Sequence, residues 1–251
     1  MEELYKISKD SVLHNLIRLN QLIFEVTDAC NLHCKYCAYA DLYEGYDQRN
    51  NTNMPFHRAK LVIDYLQEIW EKNRFQDMEK SVSISFYGGE PLLNMEFVKQ
   101  VIDYTEKLPP TGRIFKYSMT TNAMLLDRYM DYLVEKDFAL LISLDGDEQG
   151  QSYRTDHAGN NSFQRVYRNI MLLKEKYPDF WENNVNCNAV LHDRNGVERT
   201  YKFYKEGSSL DKDEIQPIII DGKLYFKENV RVEKKISLFR KKCLSLLFSS
   251  K

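Results

Sequence analysis

The chain has 251 residues, with 35 Lys and Arg against 37 Asp and Glu and a formal net charge of −2. That length supports one large domain with its own core, and the near-balanced charge excludes a basic field for nucleic acid or an anionic membrane. No apolar run reaches the length of a membrane span and the first residues, Met1-Glu2-Glu3-Leu4-Tyr5-Lys6, lack the apolar stretch of a signal peptide, so a cytoplasmic protein with reduced thiols is expected.

Residues 1–20 read as a lead-in. From there, short β-rich runs alternate with longer helix-period segments. Strands are expected at 21–26, 82–87, 115–121, 140–144, 185–191 and 214–220, and helices at 58–72, 95–107, 125–136, 162–177 and 196–205. Such alternation points to a parallel α/β architecture. Six strands with five helices between them make an open or partial barrel, not a closed eight-strand one. In the first helix, the apolar stripe Leu61, Val62, Tyr65, Leu66 and Ile69 is expected in the core.

The strands carry a parity. One side is apolar: Leu22, Phe24, Val26; Val82, Ile84, Phe86; Leu140, Ile142, Leu144. The other is more polar: Glu25, Thr27; Ser83, Ser85, Tyr87; Ser118, Thr120, Asn122; Ser143, Asp145; Asn186, Asn188. Successive side chains point to opposite faces, and helical crossovers cover only one of them. The polar side is therefore expected to line a wet cavity. Cys187, in register with Val185 and Ala189, falls on the apolar side and reads as a small buried hydrophobe.

The chemistry gathers at the strand ends. The first strand runs into Cys30-Asn31-Leu32-His33-Cys34-Lys35-Tyr36-Cys37, three of the chain's five cysteines within eight residues. Clustered thiolates select zinc or iron–sulfur. A cubane cluster usually takes four cysteines, and three would leave one metal position open, the mark of a catalytic site. A zinc site completed by His33 or Cys187 is the alternative. The second strand ends in Gly88-Gly89-Glu90-Pro91, glycines that let backbone approach closely. The third ends in Thr120-Thr121-Asn122, where Asn122 could also cap the next helix. The fourth ends in Ser143-Leu144-Asp145-Gly146, followed by Ser152-Tyr153-Arg154 and Gly159-Asn160-Asn161-Ser162-Phe163. His57, His157 and His192 form no spaced pair and read as loop or cap residues. Active sites of α/β folds lie at this strand edge.

These motifs together resemble the radical S-adenosylmethionine (SAM) family, in its peptide- and protein-modifying branch of sulfatase maturases and ribosomal-peptide maturases. The likeness covers roughly 22–220. It implies a partial (β/α)₆ TIM-like barrel with a core domain at 21–220. Cys30, Cys34 and Cys37 would hold a [4Fe–4S] cluster whose open iron chelates SAM, and reduction would cleave SAM to a 5′-deoxyadenosyl radical that takes hydrogen from substrate. It further implies SAM contacts at Gly88, Gly89 and Glu90 for the methionyl amino group, at Ser143 and Arg154 for ribose and carboxylate, and at Asn122, with Tyr36 against the adenine. Arginine suits a carboxylate because its planar fork donates two parallel hydrogen bonds. The implied partners are a peptide or protein substrate and an electron donor of flavodoxin or ferredoxin type.

Relatives of this branch continue into a cysteine-rich extension, called SPASM, that binds further clusters. Residues 221–251 instead offer a hairpin signal at Asp221-Gly222, a basic segment at 231–242 and a single Cys243. They are expected to be a short hairpin and basic tail, and the chain a shortened member of the branch. Two other readings stay open: a SAM- and cluster-binding remnant acting as a binding subunit, and a zinc-stabilised interaction module.

Overall fold

A computed structural model describes residues 8–37, 49–74, 80–207, 210 and 215–219. The expected hairpin and basic tail at 221–251, with Cys243, lie outside the described residues. Six strands, β1 (Gln21–Thr27), β2 (Lys80–Gly88), β3 (Arg113–Thr121), β4 (Ala139–Ser143), β5 (Val185–Leu191) and β6 (Ile215–Ile219), form one sheet in sequential order. Every pairing is parallel. This is the partial barrel expected of the α/β pattern: among the described residues β1 and β6 are its outer strands, and Pro217 in β6 is tolerated there because an outer strand has donors to spare.

The crossovers are α2 (Phe56–Lys72), α3 (Met95–Thr105), α4 (Leu126–Glu135), α5 (Phe163–Lys176) with α6 (Pro178–Asn184), and α7 (Val197–Lys202). A helix at the lead-in, α1 (Lys9–Ile17), was not legible as a separate element. Ser8 caps it by accepting from Ser11 N at 3.0 Å. It closes the N-terminal end of the sheet: Trp70 Nε1 donates to Leu16 O at 3.0 Å and Arg113 Nη2 to Ile17 O at 2.6 Å.

The apolar parity is the core. Phe24, Val26, Ile84, Phe86, Leu140, Ile142 and Leu144 are buried under the helices. Cys187 lies among them, fully buried as expected. The α2 stripe requires a correction. Ala59, Ile63, Leu66, Ile69 and Trp70 face the sheet, whereas Leu61, Val62 and Tyr65 are exposed. The spacing 59-63-66-70 keeps the 3.6-residue period, and Trp70, the largest side chain available, sets the phase.

The polar parity faces the barrel interior. Gln21 Nε2 donates to Ser85 Oγ at 2.9 Å, and Ser85 and Ser118 hydroxyls lie 2.6 Å apart, a ladder across β1, β2 and β3. Beside it opens a cavity of about 410 Å³ whose polar lining is Gln21, Ser85, Ser118, Thr120, Asn184 and Asn186. Ile23 and Tyr87, 58% and 54% exposed, add apolar surface to the same wall. No helix among the described residues is long and apolar enough to cross a membrane.

Candidate cluster and cofactor site

The cysteine loop is fixed from three sides. Asp28, just past β1, accepts from Asn50 N at 2.8 Å and Thr52 N at 2.5 Å. This anchors the segment before α2 and brings Arg49 Nη2 to 2.9 Å from Cys37 Sγ. On the second side, Gly89 N donates to Thr27 O at 2.8 Å and Glu90 N to Ala29 O at 2.9 Å. A Cβ on Gly89 would lie 2.2 Å from Ala29 O, and one on Gly88, at φ +132°, 2.3 Å from Thr27 O. Glycine is required at both because backbone presses on backbone. On the third side, His33 N donates to Thr155 O at 2.7 Å and Lys35 N to Tyr153 O at 3.0 Å. His157 Nε2 donates to Cys30 O at 2.8 Å. His157 is thus the loop residue expected, and it clasps the cysteine loop.

Cys30, Cys34 and Cys37 are free, half-buried thiols at the C-terminal edge of the sheet. Burial pushes the Cys34 thiol up to about 12, against the pull of Arg154, and raises Cys30 as well. Both would shed their protons on binding metal. Asn122 Nδ2 lies 3.7 Å from Cys30 Sγ and donates to Asn31 Oδ1 at 2.8 Å. Its Oδ1 accepts from Met124 N, and α4 starts four residues on, so it makes a local turn and does not cap that helix.

Glu90 is fully buried. Its carboxylate accepts from Leu92 N at 3.0 Å, Thr121 Oγ1 at 2.7 Å and Asn122 N at 2.7 Å. Burial still leaves its pKa above the ordinary carboxylate value. The side chain therefore ties the exit of β2 to the exit of β3, and what it presents toward the loop is backbone.

Ser143 ends β4 and pairs in register with Asn188 of β5. Both are buried, and Asn188 Oδ1 has no hydrogen-bond partner. Arg154 is not at the surface: it is 7% exposed, and Nη2 donates to Asp145 Oδ1 at 3.0 Å. Its guanidinium lies 5.3 Å from the centre of the Tyr36 ring, while its Nε is buried without a partner. Tyr36 is itself buried and donates to Asp145 Oδ2, packing with Tyr153, Val190 and Cys34.

His192, expected as a loop or cap residue, is 6% exposed and packs at a tilt against the Tyr153 ring, their centres 4.5 Å apart. Its Nε2 donates to Gly150 O at 3.0 Å. Asp145, Tyr153 and Asn195 complete this assembly. Asp145 and Tyr153 stood in the motifs that follow β4, but their contacts did not; for Asn195 the only signal was its position past β5, at the edge where the motifs fall.

The donor set fits an iron–sulfur group: three thiols on one loop, all sulfur, with cationic and amide groups beside them. The residues that could complete a zinc shell stand elsewhere. Cys187 is buried on the opposite face of the sheet, and the His33 ring is turned to His157, their centres 6.1 Å apart. Among the described residues, no group of three His, Cys, Asp or Glu side chains is drawn together for a single ion.

A partial parallel barrel with a three-thiol loop at the C-terminal edge of its sheet defines a class of α/β barrel built around an all-sulfur site. The radical SAM superfamily model matches residues 24–204, and the chain belongs to that superfamily. The cofactors of this family are a [4Fe–4S] cluster and SAM. An uncharacterized protein of Methanocaldococcus jannaschii, MJ0907, is 32% identical over 174 residues, 69% of this chain and 55% of that one. A cysteine-type anaerobic sulfatase-maturating enzyme of Clostridium novyi (strain NT) is 27% identical over 192 residues, 75% of this chain and 48% of that one. The solved structure of native anSMEcpe with bound AdoMet and Cp18Cys peptide superposes with a TM-score of 0.59 at 25% identity, covering 80% of this chain and 50% of that one. The chain thus spans about half the length of the relatives it matches.

Proposed function

We propose that this chain, with its core at 21–220, is a radical SAM enzyme that takes hydrogen from a peptide or protein substrate. The observation that carries the reading is the convergence of four separate strand ends on one three-cysteine loop. The sulfatase-maturating relative and the peptide-bound structure support a polypeptide substrate. When bound and reduced, the cluster would supply the electron that cleaves SAM to methionine and a 5′-deoxyadenosyl radical. Cys30, Cys34 and Cys37 hold the cluster, and Asn122 places an amide beside Cys30 Sγ. The backbone at Gly88, Gly89 and Glu90 offers the methionyl amino group close approach. Ser143 and Arg154 bind ribose and carboxylate, and Tyr36 lies against the adenine, its buried ring helping to keep water from the cofactor. Water exclusion matters because a carbon radical left open to solvent is lost to side reactions. A flavodoxin- or ferredoxin-type donor supplies the electron.

Anaerobic reconstitution tests this. Wild type should bind about four irons per chain, as one cubane requires, and reduction with SAM should release 5′-deoxyadenosine. Replacing Cys30, Cys34 and Cys37 together by alanine should abolish iron binding, while Cys187→Ala should not. A colourless zinc protein would sink the reading. An intact cluster without 5′-deoxyadenosine would make the chain a binding subunit.

A further inference from the structure

We propose that Asp145 is the positioning residue of this site: by dividing its carboxylate between Tyr36 and Arg154 it leaves the guanidinium Nε unpaired for the carboxylate of the cofactor. The inference rests on the reading of Arg154 as a SAM-binding residue. Asp145 has no solvent exposure. Its Oδ1 accepts from Arg154 Nη2 at 3.0 Å and from Val190 N at 2.9 Å, and its Oδ2 accepts from the Tyr36 hydroxyl. Its backbone is held as firmly. Asp145 N donates to Gln151 Oε1 at 2.7 Å, and its carbonyl accepts from Asn195 Nδ2. One residue therefore joins the cysteine loop, the exit of β4, the turn carrying Arg154 and the exit of β5.

The division of the carboxylate has a chemical consequence. A carboxylate and a guanidinium left to themselves favour two parallel hydrogen bonds. Here Tyr36 occupies the second oxygen, so Asp145 reaches Arg154 through one nitrogen only. The Nε is left buried and unpartnered. A buried donor without an acceptor is costly, and a carboxylate brought to Arg154 by the cofactor would satisfy it. The pair with Asp145 fixes the plane of the guanidinium, and Tyr36 keeps that pair from taking a second guanidinium nitrogen.

Equilibrium dialysis of radiolabelled SAM against anaerobic, cluster-loaded protein tests this, with iron content and melting temperature as controls. Asp145→Ala should weaken SAM binding at least tenfold with iron content unchanged. Asp145→Asn keeps an acceptor for Arg154 and Val190 and should recover most of that loss. Arg154→Ala should weaken binding by a similar factor, and D145A/R154A should be no worse than R154A. Wild-type affinity in D145A, equal losses in D145A and D145N, or losses that multiply in the double variant would each overturn the role of Asp145. Wild-type affinity in R154A would instead overturn the reading of Arg154 and the inference with it. If D145A does not fold, Tyr36→Phe frees Oδ2 to close on Arg154. SAM binding should then fall several-fold, and unchanged affinity in Y36F would overturn the proposal.

Discussion

Arg49 shows how a residue without a motif enters the site. It lies 12 positions beyond Cys37, and the two Asp28 hydrogen bonds to Asn50 and Thr52 carry it back to that sulfur. A guanidinium donating to a cluster sulfur stabilises the more negative, reduced cluster, because hydrogen bonds to the sulfurs and nearby charge set the potential. Arg49→Gln should therefore lower the midpoint potential of the loaded protein by roughly 30–60 mV, the upper figure being a tenfold shift for one electron. An EPR-monitored redox titration reads this directly, and an unchanged potential would reduce Arg49 to a loop anchor. The cysteines, Gly88, Gly89, Asn122, Ser143 and Arg154 stood out as candidates because each sits in a short local pattern. Asp145 was visible as a letter in such a pattern, but its work was not. Its partner Tyr36 is 109 positions away, and no local pattern encodes which distant hydroxyl shares a carboxylate.

At the scale of elements, strands were easier to read than helices. β5 runs from Val185 to Leu191 as expected, and the other strands differ only by a residue or two at their ends. Period-two alternation with one buried face is a strong constraint, since a slip of one residue turns every side chain over. Helix phase is weaker. The α2 segment has apolar residues around much of its circumference, so composition alone did not choose between Leu61 and Ile63. α6, from Pro178, follows α5 directly, and proline at its first turn separates the two. The loop joints yield a contrast. Gly89→Ala drives a Cβ to 2.2 Å from Ala29 O and should both unseat the cysteine loop and cost about 2–4 kcal/mol, the upper range for single substitutions. Its iron content after reconstitution should fall well below wild type. Gly196, which caps α7 and where an added methyl group would meet nothing within 4 Å, is the control. Gly196→Ala should change stability by about 1 kcal/mol or less and leave iron content unchanged. Equal loss of iron in both would show that the close approach at Gly89 is not what seats the loop.

The whole molecule separates two surfaces that the reaction would need to be separate. The rim at the strand ends carries the thiols and the Asp145 assembly. The concave wall below it carries hydroxyls, amides and the exposed side chains of Ile23 and Tyr87. A protein gains little by turning an isoleucine and a tyrosine to water inside its own barrel, whereas a bound chain would cover both. Because they are exposed, Ile23→Ser and Tyr87→Ser should move stability by no more than about 0.5 kcal/mol. The hydrogen bonds that seat the cysteine loop run through Asp28, Gly89, Glu90, Tyr153, Thr155 and His157, so both substitutions should spare cluster loading and slow release of 5′-deoxyadenosine without peptide. Turnover of a test peptide should fall, with the loss in KM, since substrate binding is what the wall would supply. Mass spectrometry of the peptide beside chromatography of 5′-deoxyadenosine measures both in one reaction. Parallel losses of the two products would place Ile23 and Tyr87 with the cofactor. Wild-type turnover in both variants would show that the substrate does not enter along this wall.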